Sequence, residues 1–222
     1  MLPLFFPKIC FGCKKILNSG ERTICVICRH KLPLTHFHTT GNRAMLKVFD
    51  GQIPVKHATS LLYFEKAGLT QKLIHLLKYK KGLEIGVFFG KWLGAELSEI
   101  SEYKTIEAVI PVPLHKRKFK KRGYNQVTGF GKAIAQALNI SYQDEVLLKK
   151  SASGSQVFKN RVKRLFNPTE VFTCNNKHLI RDKHILIVDD IMTTGATLEA
   201  SALQLLKVEG VCISFATMAF VA

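Results

Sequence analysis

The sequence has no long apolar run and no repeated or low-complexity segment. None of its 222 residues belongs to a stretch approaching the roughly 18–20 apolar residues that a membrane-spanning helix needs. The apolar start, Met1–Phe6, is cut off by Pro7 and Lys8, so it lacks the apolar centre of a secretory signal peptide. Hydrophobic residues make up 47% of the chain and charged residues 22%, a composition that excludes general disorder. We therefore expect a cytoplasmic globular protein without a membrane span.

Acidic residues are also scarce, at 16 against 33 basic ones, which gives a net charge of +17. The excess is concentrated, because residues 111–166 alone carry +11 when their charged residues are counted. Six of the seven residues from Lys116 to Arg122 are basic, in a stretch without a helical pattern, so we expect a basic loop there. Such a field favours an anionic partner, whether phosphate, nucleic acid or an acidic surface. The alternative is a solvated basic face that only aids solubility.

Four of the six cysteines form a pattern typical of a zinc site. Cys10, Cys13, Cys25 and Cys28 make two C-x2-C pairs separated by eleven residues. In a cytoplasmic protein this spacing favours a metal over disulfides, and four thiolates close the tetrahedral shell of a structural Zn²⁺. About thirty residues bury too little apolar surface to fold without the ion. The pattern predicts a structural zinc ribbon, with two redox pairs as the alternative.

The remainder of the chain has the pattern of an α/β domain. Pro33, Gly41 and Gly51 interrupt the segment after the cysteines, so we place a boundary that separates a zinc ribbon and linker, residues 1–52, from a domain at 53–222. Five strands are expected in that domain, at Ala58–Phe64, Ala108–Val112, Val146–Leu148, Ile185–Val188 and Val211–Ala219. Helix-length segments separate them, which favours a mostly parallel sheet flanked by helices on both faces.

The sharpest chemical signal is H-I-L-I-V-D-D-I-M-T-T-G-A-T-L at residues 184–198. An apolar strand delivers Asp189 and Asp190 to its carboxyl end, where open parallel sheets bind their ligands. The loop Thr193–Thr197 opens directly into a helix, whose first amides can hold a phosphate. Carboxylates repel phosphate, so this pair suits the hydroxyls of a sugar beside it. The pattern predicts a ribose 5-phosphate site, and an Asp-Asp turn that caps a helix is the alternative.

This run resembles the phosphoribosyl-pyrophosphate (PRPP) signature of type I phosphoribosyltransferases, with Ala196 where many members have a second glycine. The wider chain resembles the ComF competence-protein family, which joins an N-terminal zinc ribbon to such a domain. Three more stretches carry this resemblance: L-L-K-Y-K-K-G at 76–82, V-I-P-V-P-L-H-K-R-K-F-K-K-R-G-Y-N-Q at 109–126, and the segment from S-x-Q to R-L-F-N at 153–167. The resemblance implies a type I phosphoribosyltransferase-like fold with a small zinc ribbon.

The resemblance also implies roles for particular residues. The catalytic pair holding the ribose diol would be Asp189 and Asp190. The PRPP phosphate would be bound by Thr193, Thr194, Gly195, Ala196 and Thr197. A basic loop would hold pyrophosphate with Mg²⁺, or a DNA backbone, through Lys116, Arg117, Lys120, Lys121 and Arg122. A mobile lid that excludes water would include Gln156, Arg164 and Asn167, although the same stretch also fits an exposed amphipathic helix.

The implied reaction is displacement of pyrophosphate from Mg²⁺-bound PRPP by an acceptor that the sequence does not reveal, so enzymatic activity stays open. The competing hypothesis is a non-catalytic protein that handles single-stranded DNA during uptake, with the DNA-uptake helicase machinery as partner. Such a protein would use the PRPP site as a sensor or phosphate clamp, and Phe119 and Tyr124 would stack on bases. A purely structural zinc-ribbon adaptor leaves the acid pair and the phosphate loop without a purpose.

Overall fold

A five-stranded parallel sheet forms the centre of the molecule. The computed structural model describes residues 7–79, 82–149 and 172–222. The strands of this sheet are β1 (Ala58–Tyr63), β2 (Ala108–Pro111), β3 (Ser141–Tyr142), β6 (His184–Met192) and β7 (Cys212–Phe220). Their order is β1-β7-β6-β2-β3, and every neighbouring pair is parallel. The α/β class and the mostly parallel sheet predicted from the sequence are confirmed.

Helices cover both faces of the sheet. The longer ones are α4 (Leu69–Leu77), α5 (Leu83–Ser98), α6 (Lys116–Arg122), α7 (Thr128–Leu138) and α8 (Ala196–Leu205). Alternate strand residues enter two separate apolar clusters, with Leu186 and Val188 in one and Ile185 and Ile187 in the other. This division explains why the central strands are apolar on both sides rather than alternating with polar residues.

Helices α5 and α7 approach each other through glycines. A Cβ at Gly90 would lie 2.4 Å from the Phe130 carbonyl oxygen, and one at Gly94 would lie 2.8 Å from the Ala137 Cβ. Glycine weakens a helix in isolation. Here it permits a close helix pair, so these glycines serve a packing contact.

The N-terminal segment packs onto the sheet domain rather than standing apart from it. It contains three short helices: α1 (Val26–His30), α2 (Phe37–Thr40) and α3 (Ala44–Lys47). Cys10 and Cys28 belong to the same apolar cluster as Leu73 of α4, while Phe37 and Phe49 belong to the cluster on the other face. The boundary at residue 53 stays a prediction, but apolar contacts cross it on both sides of the sheet.

Two strands lie outside the main sheet. The expected strand at Val146–Leu148 is β4 (Leu147–Lys149), which pairs antiparallel with β5 (Phe172–Cys174) in a two-stranded sheet of its own. The two-residue edge strand β3 was not predicted, because it is too short to give a periodic signal. Within the described residues, none of the helices has both the length and the apolar character that crossing a bilayer requires.

Candidate functional site

The acid pair lies at the carboxyl edge of the sheet, in the last part of β6. This strand runs to Met192, four residues beyond the predicted end at Val188, so both carboxylates belong to its hydrogen-bonded length. Asp189 and Asp190 are each only 8% exposed. The carboxyl ends of β1, β2 and β7 lie along the same edge, because all these strands are parallel. This is the edge at which open α/β sheets bind ligands.

Backbone amides hold both carboxylates. The Asp190 N–H donates to Oδ1 of Asp189 at 2.8 Å, and the Ile191 N–H donates to Oδ1 of Asp190 at 2.8 Å. Burial raises the pKa of Asp189 well above its usual value and the neighbouring Asp190 adds to the rise, while the Asp190 N–H and Lys78 act against it. The two carboxyl groups are therefore buried side by side, and the charge of Asp190 makes ionisation of Asp189 less favourable.

Three side chains form a chain of contacts on the second carboxylate. Lys78 Nζ lies 3.2 Å from Oδ2 of Asp190, and the Gln126 side-chain amide donates to the same oxygen at 3.1 Å. Arg122 then donates to Oε1 of Gln126 at 2.9 Å. The end of the basic stretch is thus linked to the acid pair through one amide.

The candidate phosphate loop follows β6 without interruption. Gly195 adopts the left-handed region, with φ of 78°, and α8 begins at the next residue. Glycine has no side chain to cap a helix, so the first amides of α8 can bind an anion. The hydroxyl-bearing residues Thr193, Thr194 and Thr197 are exposed, as is Ala196. The predicted loop and the acid pair are therefore neighbours at one strand end.

The basic stretch is a helix, so the prediction of a basic loop was wrong. Helix α6 spans the whole of Lys116–Arg122, including the predicted residues Arg117, Lys120 and Lys121. His115 caps it, because its Nδ1 accepts from the Arg117 N–H at 3.2 Å, and Gly123 ends it in the left-handed region. Lys and Arg are good helix formers, and cations in the last turn are favoured by the helix dipole. The sequence prediction relied on a periodic apolar face, which a largely exposed helix such as α6 does not have.

Two cationic residues at this edge were not predicted as site residues. Lys78 lies within the L-L-K-Y-K-K-G stretch, but only the fold brings it to Asp190. Lys149, at the end of β4, is half-buried; burial and Lys118 lower its pKa, while Asp189 raises it. Its charge therefore interacts with both Asp189 and Lys118 of helix α6. The sequence signal for Lys149 was its position at the end of a short apolar strand, where site residues of α/β proteins commonly lie.

The four N-terminal cysteines converge as predicted. Their Sγ atoms all lie within 4.8 Å of one another, and those of Cys13 and Cys25 are 3.7 Å apart. A tetrahedral Zn²⁺ with Zn–S bonds of about 2.3 Å needs sulfur atoms about 3.8 Å apart. Burial and the three neighbouring cysteines raise the pKa of Cys28 to about 12, so a cation is what would allow four thiolates together. The cluster fits a closed structural zinc site.

Backbone amides support the cluster. The Cys25 N–H donates to Sγ of Cys10 at 3.3 Å, and the Cys28 N–H donates to Sγ of Cys25 at 3.4 Å. The other two cysteines of the chain, Cys174 and Cys212, stand apart from this group. Cys212 is exposed and Cys174 is half-buried. The predicted lid residues Gln156, Arg164 and Asn167 lie outside the described residues.

Comparisons with known proteins agree with this architecture. The phosphoribosyl transferase domain family matches residues 128–222, which include the acid pair and the candidate phosphate loop. The chain is 26% identical over 219 residues to the DNA utilization protein YhgH of Shigella flexneri, covering 92% of this chain and 93% of that protein. It is 34% identical over 110 residues to the competence protein ComFC of Streptococcus pneumoniae, or 50% of this chain and 44% of that protein. The chain is therefore similar along nearly all of its length to a protein named for DNA utilization, and along half of it to a competence protein.

The family match and the converging cysteines confirm a phosphoribosyltransferase domain and an N-terminal cysteine cluster in this chain. Among solved structures, glutamine PRPP amidotransferase of B. subtilis is 17% identical, with a TM-score of 0.42, over 63% of this chain and 30% of that one. The family match begins at α7, so helix α6 and Lys78 belong to the part of the chain that precedes it.

Proposed function

We propose that this protein binds PRPP with Mg²⁺ at the carboxyl edge of its sheet and transfers the phosphoribosyl group to an acceptor. One observation carries the proposal: the buried acid pair and the open start of α8 meet at the end of a single strand. A diol acceptor beside a phosphate cradle is what ribose 5-phosphate requires. The cationic groups on α6 and at Lys149 supply the positive charge that a diphosphate needs.

Each part has a separate task in this reaction. Asp189 and Asp190 accept hydrogen bonds from the ribose hydroxyls, and the amides from Gly195 onward hold the 5-phosphate. Mg²⁺ arriving with PRPP neutralises the departing pyrophosphate. Positioning and charge stabilisation drive such a transfer, so it needs no nucleophilic side chain. The acceptor displaces pyrophosphate at C1 of the ribose.

Calorimetric titration of PRPP with Mg²⁺ into the zinc-loaded protein tests this proposal. We expect saturable binding that is lost in the Asp189→Asn/Asp190→Asn double variant, which keeps the size of both side chains. Saturable binding also justifies screening acceptors for pyrophosphate release. An absence of binding at millimolar PRPP, with the protein folded, would refute the proposal.

Helix α6 favours a second candidate function, the binding of single-stranded DNA. Phe119 is half exposed among six basic residues, although buried positions are the norm for phenylalanine. An aromatic ring between cations is the arrangement with which proteins stack bases and track a phosphate backbone. Relatives named DNA utilization protein and competence protein support this candidate. It would give the protein a role in natural competence, with the DNA-uptake helicase machinery as the proposed partner. In that case the PRPP site would serve as a sensor or phosphate clamp.

A further inference from the structure

We propose that Lys78 is the counter-ion that keeps the Asp189–Asp190 pair charged and able to receive a ribose diol. The inference deepens the proposed function and rests on it for the identity of the ligand. Lys78 Nζ lies 3.2 Å from Oδ2 of Asp190, with 28% of its side chain exposed and 12% of the aspartate's. A contact this shielded from water is stronger than a pair of surface charges.

The fold fixes Lys78 from two directions. It caps the C-terminus of α4, and the carbonyl of the last helical residue, Leu77, accepts a hydrogen bond from the hydroxyl of Tyr124, which follows α6. The other end of α4 bears on the cysteine cluster, because Lys72 donates to the Gly12 carbonyl and a Cβ at Gly12 would lie 3.2 Å from Leu69 Cδ1. The ammonium group is therefore presented by a helix that is anchored along its length.

Other charged groups face the acid pair less directly. Arg122 reaches Asp190 only through the Gln126 amide. Lys149 interacts electrostatically with Asp189, which raises its pKa, but burial and the charge of Lys118 lower that pKa, and no contact joins Lys149 to the pair in the described residues. Within the part of the chain that the structure describes, Lys78 is the cation whose nitrogen contacts a carboxylate of the pair. Removal of its charge would leave two adjacent buried carboxyl groups without a direct counter-ion.

This role has a functional consequence. A carboxylate accepts hydrogen bonds at both oxygens only while it is ionised, whereas a protonated carboxyl must donate one. Burial and the neighbouring Asp190 charge both favour protonation of Asp189. A cation 3.2 Å away acts against both, so the site stays competent for a diol over a wider range of pH.

The first test needs no ligand. Carboxyl ¹³C NMR of aspartate-labelled protein follows the titration of Asp189 and Asp190 in the unaltered chain and in Lys78→Met. An opposite charge at this distance lowers a carboxyl pKa by roughly 1–3 units, so we expect the midpoints of the pair to rise by about one pH unit or more in Lys78→Met. Lys78→Arg should restore them. Lys104→Met, an exposed lysine at the opposite edge of the sheet, should leave them unchanged.

The second test uses PRPP with Mg²⁺ between pH 5 and 9. Relative to the unaltered protein, Lys78→Met should bind about tenfold more weakly below the midpoints and converge with it above them, because one pH unit corresponds to a tenfold change in the ionised fraction. The ionisation of PRPP itself cancels in this ratio. A structural role would instead weaken binding equally at every pH.

The two failures are distinguishable. If the unaltered protein does not bind PRPP, the proposed function fails, and the NMR midpoints still decide the role of Lys78. If the midpoints are the same in Lys78→Met and the unaltered protein, the counter-ion role is refuted even where PRPP binds. Lys78→Gln replaces Lys78→Met if the near-ultraviolet circular dichroism of the latter departs from that of the unaltered chain.

Discussion

Phe49 lies against Gly195 at the point where the candidate phosphate loop turns into helix α8. A Cβ at residue 195 would stand 3.0 Å from Phe49 Cε1 and 3.0 Å from Val48 Cγ1. Phe49 itself is fully buried, with its ring centroid 4.7 Å from that of Phe215 in β7. The segment after the cysteine cluster therefore forms one wall of the loop that is expected to hold the phosphate.

We expect Gly195→Ala to destabilise the protein and to weaken PRPP binding. Its left-handed backbone costs an alanine roughly 1–2 kcal/mol, and the contacts with Phe49 and Val48 add about 1–3 kcal/mol of overpacking. Gly41→Ala is the matched control, since Gly41 has φ of 65° and a Cβ added there would meet nothing within 4 Å. Urea unfolding of both variants isolates the packing contribution. If Gly195→Ala and Gly41→Ala lose the same free energy of unfolding, Phe49 and Val48 move aside at little cost and the overpacking contribution is refuted.

Loss of one exposed cysteine of the cluster should abolish zinc binding. Cys13 and Cys212 are both exposed, so replacing either by serine removes little buried apolar surface. We expect Cys13→Ser to release the metal to a colorimetric chelator and to lower the thermal unfolding midpoint, because a structural zinc site contributes directly to folding. Cys212→Ser should match the unaltered protein in both measurements. Retention of zinc by Cys13→Ser would argue against a four-thiolate site.

The protein should lose stability as pH falls through the acid range, and His184 should account for part of the loss. Its ring nitrogens lie 2.8 Å from Thr105 Oγ1 and 2.8 Å from Ser214 Oγ. Burial, with Lys56 and His57, lowers the pKa of His184 to about 4 from 6.5, so the unfolded chain binds a proton that the folded chain does not. The contribution of neutral, buried His184 to the free energy of unfolding is therefore fully present above pH 6.5, and it is lost as the pH falls from 6.5 to about 4.

Urea midpoints measured from pH 7.5 to 4.5 test this assignment. His184→Gln should show a shallower decline than the unaltered chain, while His38 and His57, whose pKa values burial also lowers, maintain the remaining slope. Parallel declines in the two proteins would show that His184 does not supply the pH dependence.

If helix α6 binds DNA, Lys120→Glu/Lys121→Glu should weaken binding to single-stranded DNA and flatten its salt dependence. Each lost phosphate contact lowers the slope of log affinity against log salt by about 0.7 for a single strand. Lys66→Glu/Lys104→Glu makes the same change in net charge at exposed positions outside α6. Fluorescence anisotropy at several salt concentrations separates the two. Unchanged low-salt binding by the α6 variant would discard the DNA interface.

Local patterns in the sequence predicted most of the sheet and the acid pair. The apolar run before Asp189, the glycine at 195 and the two cysteine pairs each act within a few residues, so the sequence shows them directly. Helix α6 was missed because its seven residues are almost all charged, which leaves no apolar face to reveal a helical period.

The remaining site residues depend on contacts between distant parts of the chain. Lys78 and Asp190 are 112 positions apart by their numbers, and Phe49 and Gly195 are 146 apart, so no local pattern joins them. The predicted lid at Gln156, Arg164 and Asn167 stays a prediction. So does the domain boundary at residue 53, although the Phe49 contact crosses it.

The position of β7 sets the order in which this chain can be completed during synthesis. It is the last described strand, yet it lies between β1, the first, and β6. While residues 212–220 are still inside the ribosome, β1 has no partner along the edge that it shares with β7, and the apolar faces of both strands stay open. Nascent chains should therefore depend on chaperones until the final strand emerges, and premature termination before Cys212 should yield aggregates rather than a smaller folded protein.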